Sequence, residues 1–141
     1  EQLDEDSPKE MVVQLAELLL RAGDQKTAIE LLTPIVESMD DYSSDNVSVM
    51  KLLAVAYFAH EQLDEGAAIS RKVLRHEPNC VASMHNLALA ALVNQRYSAS
   101  WGWVKRGLKV DAYDDDIRRL RSRLIWTWIV RSIRRLGGRY K

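Results

Sequence analysis

Apolar residues along this chain recur every three or four positions, which predicts amphipathic helices throughout. Val12, Leu15 and Leu19 form one such row, and Met50, Leu53 and Tyr57 form another. Short polar breaks interrupt the rows at Ala22-Gly23-Asp24-Gln25, at His60-Glu61-Gln62 and at Asn94-Gln95-Arg96. Each break separates two helical segments, so the pattern predicts helical hairpins. The frame also repeats. Met50-Lys-Leu-Leu-Ala-Val-Ala-Tyr57 lines up with Met84-His-Asn-Leu-Ala-Leu-Ala-Ala91, 34 residues on. The same frame appears upstream at Val12, Leu15-Ala16 and Leu19, offset by 38 residues. The extra four residues fall in the linker 41–46, whose Ser, Asp and Asn content marks a loop. Small residues recur in register at Ala16, Ala54 and Ala88, and again at Ala28, Gly66 and Ser100. They let paired helices approach closely, where a bulky side chain would cost roughly 1–3 kcal/mol through overpacking.

The pattern changes after residue 114. Asp114-Asp-Asp116 offers an N-cap and negative charge to a helix start. A helix of about 20 residues follows to Leu136, with Leu120, Leu124 and Trp128 and then Ile125, Ile129 and Ile133 on its core side. Trp126 and Val130 widen the apolar surface until the stretch 124–130 is apolar nearly all round. Arg118, Arg119, Arg121, Arg123, Arg131, Arg134 and Arg135 surround it.

Composition and charge sharpen this picture. The chain has 141 residues, of which 47% are apolar, enough for one core or one short array. Lys plus Arg number 20 and Asp plus Glu number 20, so a uniformly basic nucleic-acid binder is not expected. The zero conceals a gradient. Residues 1–46 carry twelve acids against three bases, a net of −9. Residues 47–116 carry eight of each, and residues 117–141 carry nine bases and no acid. No apolar run approaches the roughly 18 residues of a membrane span. The chain opens on Glu1 with neither an initiator Met nor a signal-peptide pattern, which fits a processed chain or a piece of a longer one, and the default compartment is the cytoplasm.

No phosphate-binding Gly-rich loop, His-Glu-x-x-His motif or Cys/His ligand spacing is present. His60, His76 and His85 fall in different helical positions without a carboxylate at ligand spacing, and Cys80 has no base or orienting group implied beside it. The expectation is therefore a non-enzyme that needs no cofactor and no metal.

The 34-residue period, the Leu-Ala pair, the in-register small residue and Pro78 at the end of a unit resemble the tetratricopeptide repeat (TPR) family. The resemblance covers three degenerate units. It implies an all-α fold, a right-handed superhelical array of antiparallel helical hairpins (a TPR-like α-solenoid). The corresponding division is an acidic tail at 1–8, repeats at 9–40, 47–80 and 81–114 around the linker 41–46, a basic, Trp-rich capping helix at 115–136 and a tail at 137–141. Departures are the family's early aromatic, replaced by Val12, Met50 and Met84, and its late Phe, replaced by Leu32, Ser70 and Val104.

In such arrays the first helices of the hairpins line a concave groove that receives an extended or helical peptide. Carried onto this chain, the groove positions are Val13 and Glu17, with Glu10 beside them; Lys51, Val55 and Phe58; His85, Leu89 and Leu92; and Arg119 and Arg123 on the final helix. This implies a protein-protein interaction adaptor or scaffold whose ligand sets apolar side chains against Val55, Phe58, Leu89 and Leu92 and an acidic end near Arg119 and Arg123. The carboxylate clamp of chaperone-binding members is not reproduced. Val13 and Glu17 stand where its first Lys and Asn belong; one unit later Lys51 and Asn86 fit, but Val55, Asp116 and Leu120 do not. Two alternatives rest on the final helix, through Trp126, Trp128, Val130, Arg131, Arg134 and Arg135. One is a homo-oligomer in which the acidic first repeat meets the basic last helix. The other is peripheral attachment to an anionic membrane surface.

Overall fold

The computed structural model describes residues 7–40 and 42–138. Most of the acidic tail expected at 1–8, Asp41 of the linker and residues 139–141 of the basic tail lie outside the described residues. Among the described residues there are seven helices: α1 (Pro8–Ala22), α2 (Gln25–Glu37), α3 (Ser44–Ala59), α4 (Leu63–His76), α5 (Val81–Val93), α6 (Tyr97–Val110) and α7 (Asp115–Gly137). No strand occurs among the described residues.

Local sequence chemistry sets the helix ends. Ser7 caps α1 in a reciprocal box: its hydroxyl accepts from the Glu10 N–H at 3.3 Å, and the Glu10 carboxylate accepts from the Ser7 N–H at 2.9 Å. Pro8 occupies the first turn, where its missing donor costs nothing. Ser43 caps α3 through the Asn46 N–H, and Asp114 caps α7 through the Ile117 N–H at 2.8 Å.

The three polar breaks share one backbone geometry. Gly23, Glu61 and Gln95 all take the left-handed conformation, with φ of 85°, 60° and 58°. In each, the next residue's N–H closes the helix onto a carbonyl five residues back: Asp24 to Leu19 at 2.9 Å, Gln62 to Tyr57 at 2.9 Å and Arg96 to Ala91 at 2.7 Å. Those three positions are separated by 38 and 34 residues, the same offsets as the apolar frame. Only the first uses glycine; the others carry a side chain in a conformation that costs L-residues roughly 1–2 kcal/mol.

The helices divide into two compact units, residues 1–78 and 79–141. In the first, α2 packs on α1 and α3, and α3 on α4. Ala16, Ala28, Leu32, Val49 and Leu53 form its core. In the second, α6 packs between α5 and α7, and α7 also reaches α5. Ala88, Leu92, Val104, Ile117, Leu120 and Leu124 form its core.

The small residues sit where the helices meet. Ala16, Ala28, Ala54, Gly66, Ala88 and Ser100 are all buried. Ser100 also donates its hydroxyl to the Ala88 carbonyl at 2.7 Å, joining α6 to α5 by a buried hydrogen bond. A Cβ on Gly66 would fall 2.5 Å from the Phe58 ring, and one on Gly107 would fall 2.9 Å from Ile117 Cδ1. These glycines are present because a neighbouring side chain fills the space.

Candidate functional site

The first unit holds a trough of about 750 Å³ between α1 and α3, the first helices of its two hairpins. Val13, Val49, Leu52 and Val55 supply its apolar lining. Glu10, Glu17 and Asp45 stand along it with Lys9 and Lys51. The two lysines are already engaged. Lys9 donates to Asn46 Oδ1, and Lys51 pairs with Glu77. Glu17 and Asp45 are exposed to solvent. The field in the trough therefore leans negative, and an incoming chain meets carboxylates before it meets an unoccupied ammonium.

Of the groove positions expected from sequence, Val13, Glu17, Lys51 and Val55 come together on this trough. Phe58 does not line it; its half-buried ring packs against Gly66, filling the gap left by the absent Cβ. The positions in the second unit behave differently. Leu92 is 6% exposed and belongs to the core, because α6 and α7 both pack on α5. Leu89 packs against that core from its edge, and His85 is half-buried. Leu92 is thus corrected from a lining residue to a core residue. Arg119 is exposed and reaches Asp116 at 3.5 Å, a helix-surface pair of little energetic weight, and Arg123 is exposed.

A second concavity lies wholly within the second unit, between α6 and α7. Tyr97, Ser98, Trp101, Leu124, Ile125 and Trp128 enclose about 500 Å³ with almost no polar lining. A smaller hollow of about 190 Å³ adjoins it, sharing Tyr97, Leu124 and Trp128 and adding Arg131 and Arg135. The Arg131 guanidinium lies over the Tyr97 ring at 4.4 Å, a cation–π contact that holds the charge at the rim. Of the other residues expected on this surface, Trp126, Arg134 and Arg135 are exposed and Val130 is half-buried.

Sequence reasoning missed Asp45, Val49 and Leu52 in the trough, and Tyr97 and Trp101 in the cup. The last two stand four apart on α6, a spacing that marks one helix face and was legible in principle.

One carboxyl is clearly perturbed. The Thr27 hydroxyl and the Thr27 N–H both donate to Asp24, holding its carboxyl below the ordinary 3.8. This is a helix cap, distant in kind from catalysis. Among the described residues, no group of three or more His, Cys, Asp or Glu side chains is placed to hold a metal ion, and no helix is long and apolar enough to cross a membrane.

No protein-family model and no curated protein matches the sequence. Solved structures do match. The chain is similar to part of the UNC-45 chaperone, whose structure concerns features critical for binding and folding muscle myosin, with a TM-score of 0.77 and 15% identity over 92% of this chain. It spans only 14% of the length of that chain. It is also similar to the Arabidopsis OM64 TPR domain, with a TM-score of 0.74 and 12% identity over 84% of this chain and 95% of that one. The Sgt2 TPR domain from Aspergillus fumigatus matches with a TM-score of 0.73 and 16% identity, over 91% and 83% of the two chains. At these identities the likeness speaks for the fold. Together with the recurrent left-handed turn and the buried small residues at each hairpin crossing, it gives this chain a TPR-like helical-repeat fold.

Proposed function

We propose that the chain is a protein-interaction module, an adaptor or scaffold, that holds a segment of a partner protein in the trough between α1 and α3. The observation that carries this reading is the trough itself: a concavity of about 750 Å³ with an apolar floor and charged sides, lined by the first helices of two consecutive hairpins. Its size falls within the ordinary range of binding clefts. Burying two or three partner side chains on Val13, Leu52 and Val55 supplies roughly 3–8 kcal/mol before ordering costs.

The charges refine the ligand. An acidic partner end would face Glu10, Glu17 and Asp45, while both lysines are committed elsewhere. The fitting segment is therefore apolar with interspersed Lys or Arg, and an acidic chaperone-type tail is disfavoured here. This replaces the ligand expected from sequence, whose acidic end was assigned to Arg119 and Arg123 of the other unit.

The test is selection of peptides from a random display library against the full chain, then titration of a selected peptide. Enrichment of Lys and Arg among apolar residues is expected. Val55→Glu and Glu17→Lys should each weaken the selected peptide by about tenfold or more, since each places an unfavourable charge in the cleft. Affinity indifferent to both substitutions would discard the trough as the binding site.

A further inference from the structure

The apolar face of α7 changes sides along the helix. In the first half, Ile117, Leu120 and Leu124 are buried in the core of the second unit, while Arg118, Arg119 and Arg123 are exposed. The buried row then continues, in steps of three and four, through Thr127 to Arg131 and Arg135. The outward row of Arg118 and Ser122 continues through Ile125, Ile129, Ile133 and Leu136. The reversal turns apolar side chains toward solvent: Trp126 is 66% exposed, Ile133 63% and Leu136 60%. Over residues 125–136 the apolar positions span roughly 200° of the helix at 3.6 residues per turn, interrupted by Ser132 alone. The remaining arc holds Thr127, Arg131, Arg134 and Arg135.

Width and charge together select what covers this face. One packed helix covers an apolar stripe of roughly 100°, about half of the arc. A helix lying in the plane of a lipid surface buries a broad apolar face. Trp126 and Trp128 lie toward opposite edges of the arc, where indole rings meet the headgroup level of a bilayer. Arg134 follows Val130 around one margin, and Arg135 follows Trp128 around the other. Their long stems reach from those margins to phosphates. Charge in the rest of the unit has the same sense. Residues 79–141 carry thirteen bases and four acids, and those acids, Asp111, Asp114, Asp115 and Asp116, all precede the apolar half of α7. An acidic protein helix would answer the arginines but leave about half of the apolar arc in water.

We propose that the second half of α7 lies on the surface of an anionic phospholipid membrane, with Trp126, Ile129, Ile133 and Leu136 at the acyl boundary and Arg134 and Arg135 on the headgroup phosphates. Arg118 and Arg119, exposed on the same side of the first half, meet the same headgroup plane. The helix lies in the interface rather than across it, because its apolar half is shorter than the roughly 18 residues of a span. This face shares no residue with the α1–α3 trough, so membrane attachment and capture of a partner segment stand or fall separately.

Flotation of the full chain with lipid vesicles tests this. Vesicles of phosphatidylcholine with phosphatidylserine should bind the chain about tenfold or more tightly than phosphatidylcholine alone, and about 0.5 M salt should remove most of the difference. Trp126→Ser/Ile133→Ser, at two exposed positions, should weaken vesicle binding by about tenfold or more with unchanged helical circular dichroism. Arg134→Glu/Arg135→Glu should cut the preference for anionic vesicles by about tenfold, whereas Arg134→Lys/Arg135→Lys should keep it. Absence of binding to the anionic vesicles, equal binding to both kinds, or binding indifferent to the Trp126 and Ile133 substitutions would overturn the proposal. So would sedimentation showing a stable assembly without lipid that Trp126→Ser/Ile133→Ser dissolves, because a second copy would then cover the face.

Discussion

Helices α3 and α7 are both rich in apolar residues, yet they meet opposite fates. α3 buries seven of its 16 residues, including Val47, Met50 and Leu53. α7 buries three of its 23, Ile117, Leu120 and Leu124, all in its first half. Composition is part of the cause, since α7 carries seven arginines and two aspartates among its 23 residues, and neighbours are the rest. α3 is packed by α1, α2 and α4, so its apolar residues are covered on several sides. α7 is packed by α5 and α6, and beyond Leu124 its apolar residues are at best half-buried. Apolar content states how much surface needs cover; the number of adjacent helices decides how much receives it.

The sharpest way to break this comparison is to truncate one residue in each helix. Leu53→Ala should cost about 2–5 kcal/mol, since the side chain is 1% exposed and its removal leaves a cavity. Ile133→Ala, at 63% exposed, should change stability by less than about 0.5 kcal/mol. Both are read by thermal or urea melts at low protein concentration. Equal losses would show that the end of α7 is covered in solution.

A second pair asks whether the helix α6, which packs against both α5 and α7, is tight on one side only. Gly107→Leu must displace Ile117 from the core and should destabilise by roughly 1–3 kcal/mol. Gly102→Ala meets nothing within 4 Å and should stabilise by about 0.5–1 kcal/mol through helix propensity. Melts that move in the same direction would contradict the packing of α6 against α7.

The smallest expected effect is electrostatic. Asp24 caps α2 with its carboxyl held below 3.8 by the Thr27 hydroxyl and N–H. The depressed folded value means that ionised Asp24 favours the folded state above pH 3.8, and that this contribution disappears as pH falls through the lower folded value. Asp24→Asn retains a capping acceptor but not the charge. Its melting temperature should lie slightly below wild type at neutral pH and converge with it on acidification. A gap that widens in acid would reverse the assignment.

Much of the fold was legible in the residues. The polar breaks at Gly23, Glu61 and Gln95 became the three left-handed turns, and the small residues in register became the hairpin crossings. The site was legible only in part. Val13, Glu17, Lys51 and Val55 came together because all four sit on the first helices of adjacent hairpins. Phe58 and Leu92 did not follow the same rule. Phe58 turned to the space left by Gly66, eight residues later, and Leu92 was enclosed once α6 and α7 closed on α5. Neither event leaves a mark in the local periodicity.

The sequence by itself determined the helices, their breaks, their caps and the repeating frame, because those depend on side chains within a few residues of one another. Tertiary structure alone decided that Lys51 is committed to Glu77, that Leu92 is core, and that Tyr97, Trp101 and Trp128 enclose one cup. Those outcomes depend on which helix lies alongside, and a helix face carries no record of its neighbour until the chain has packed.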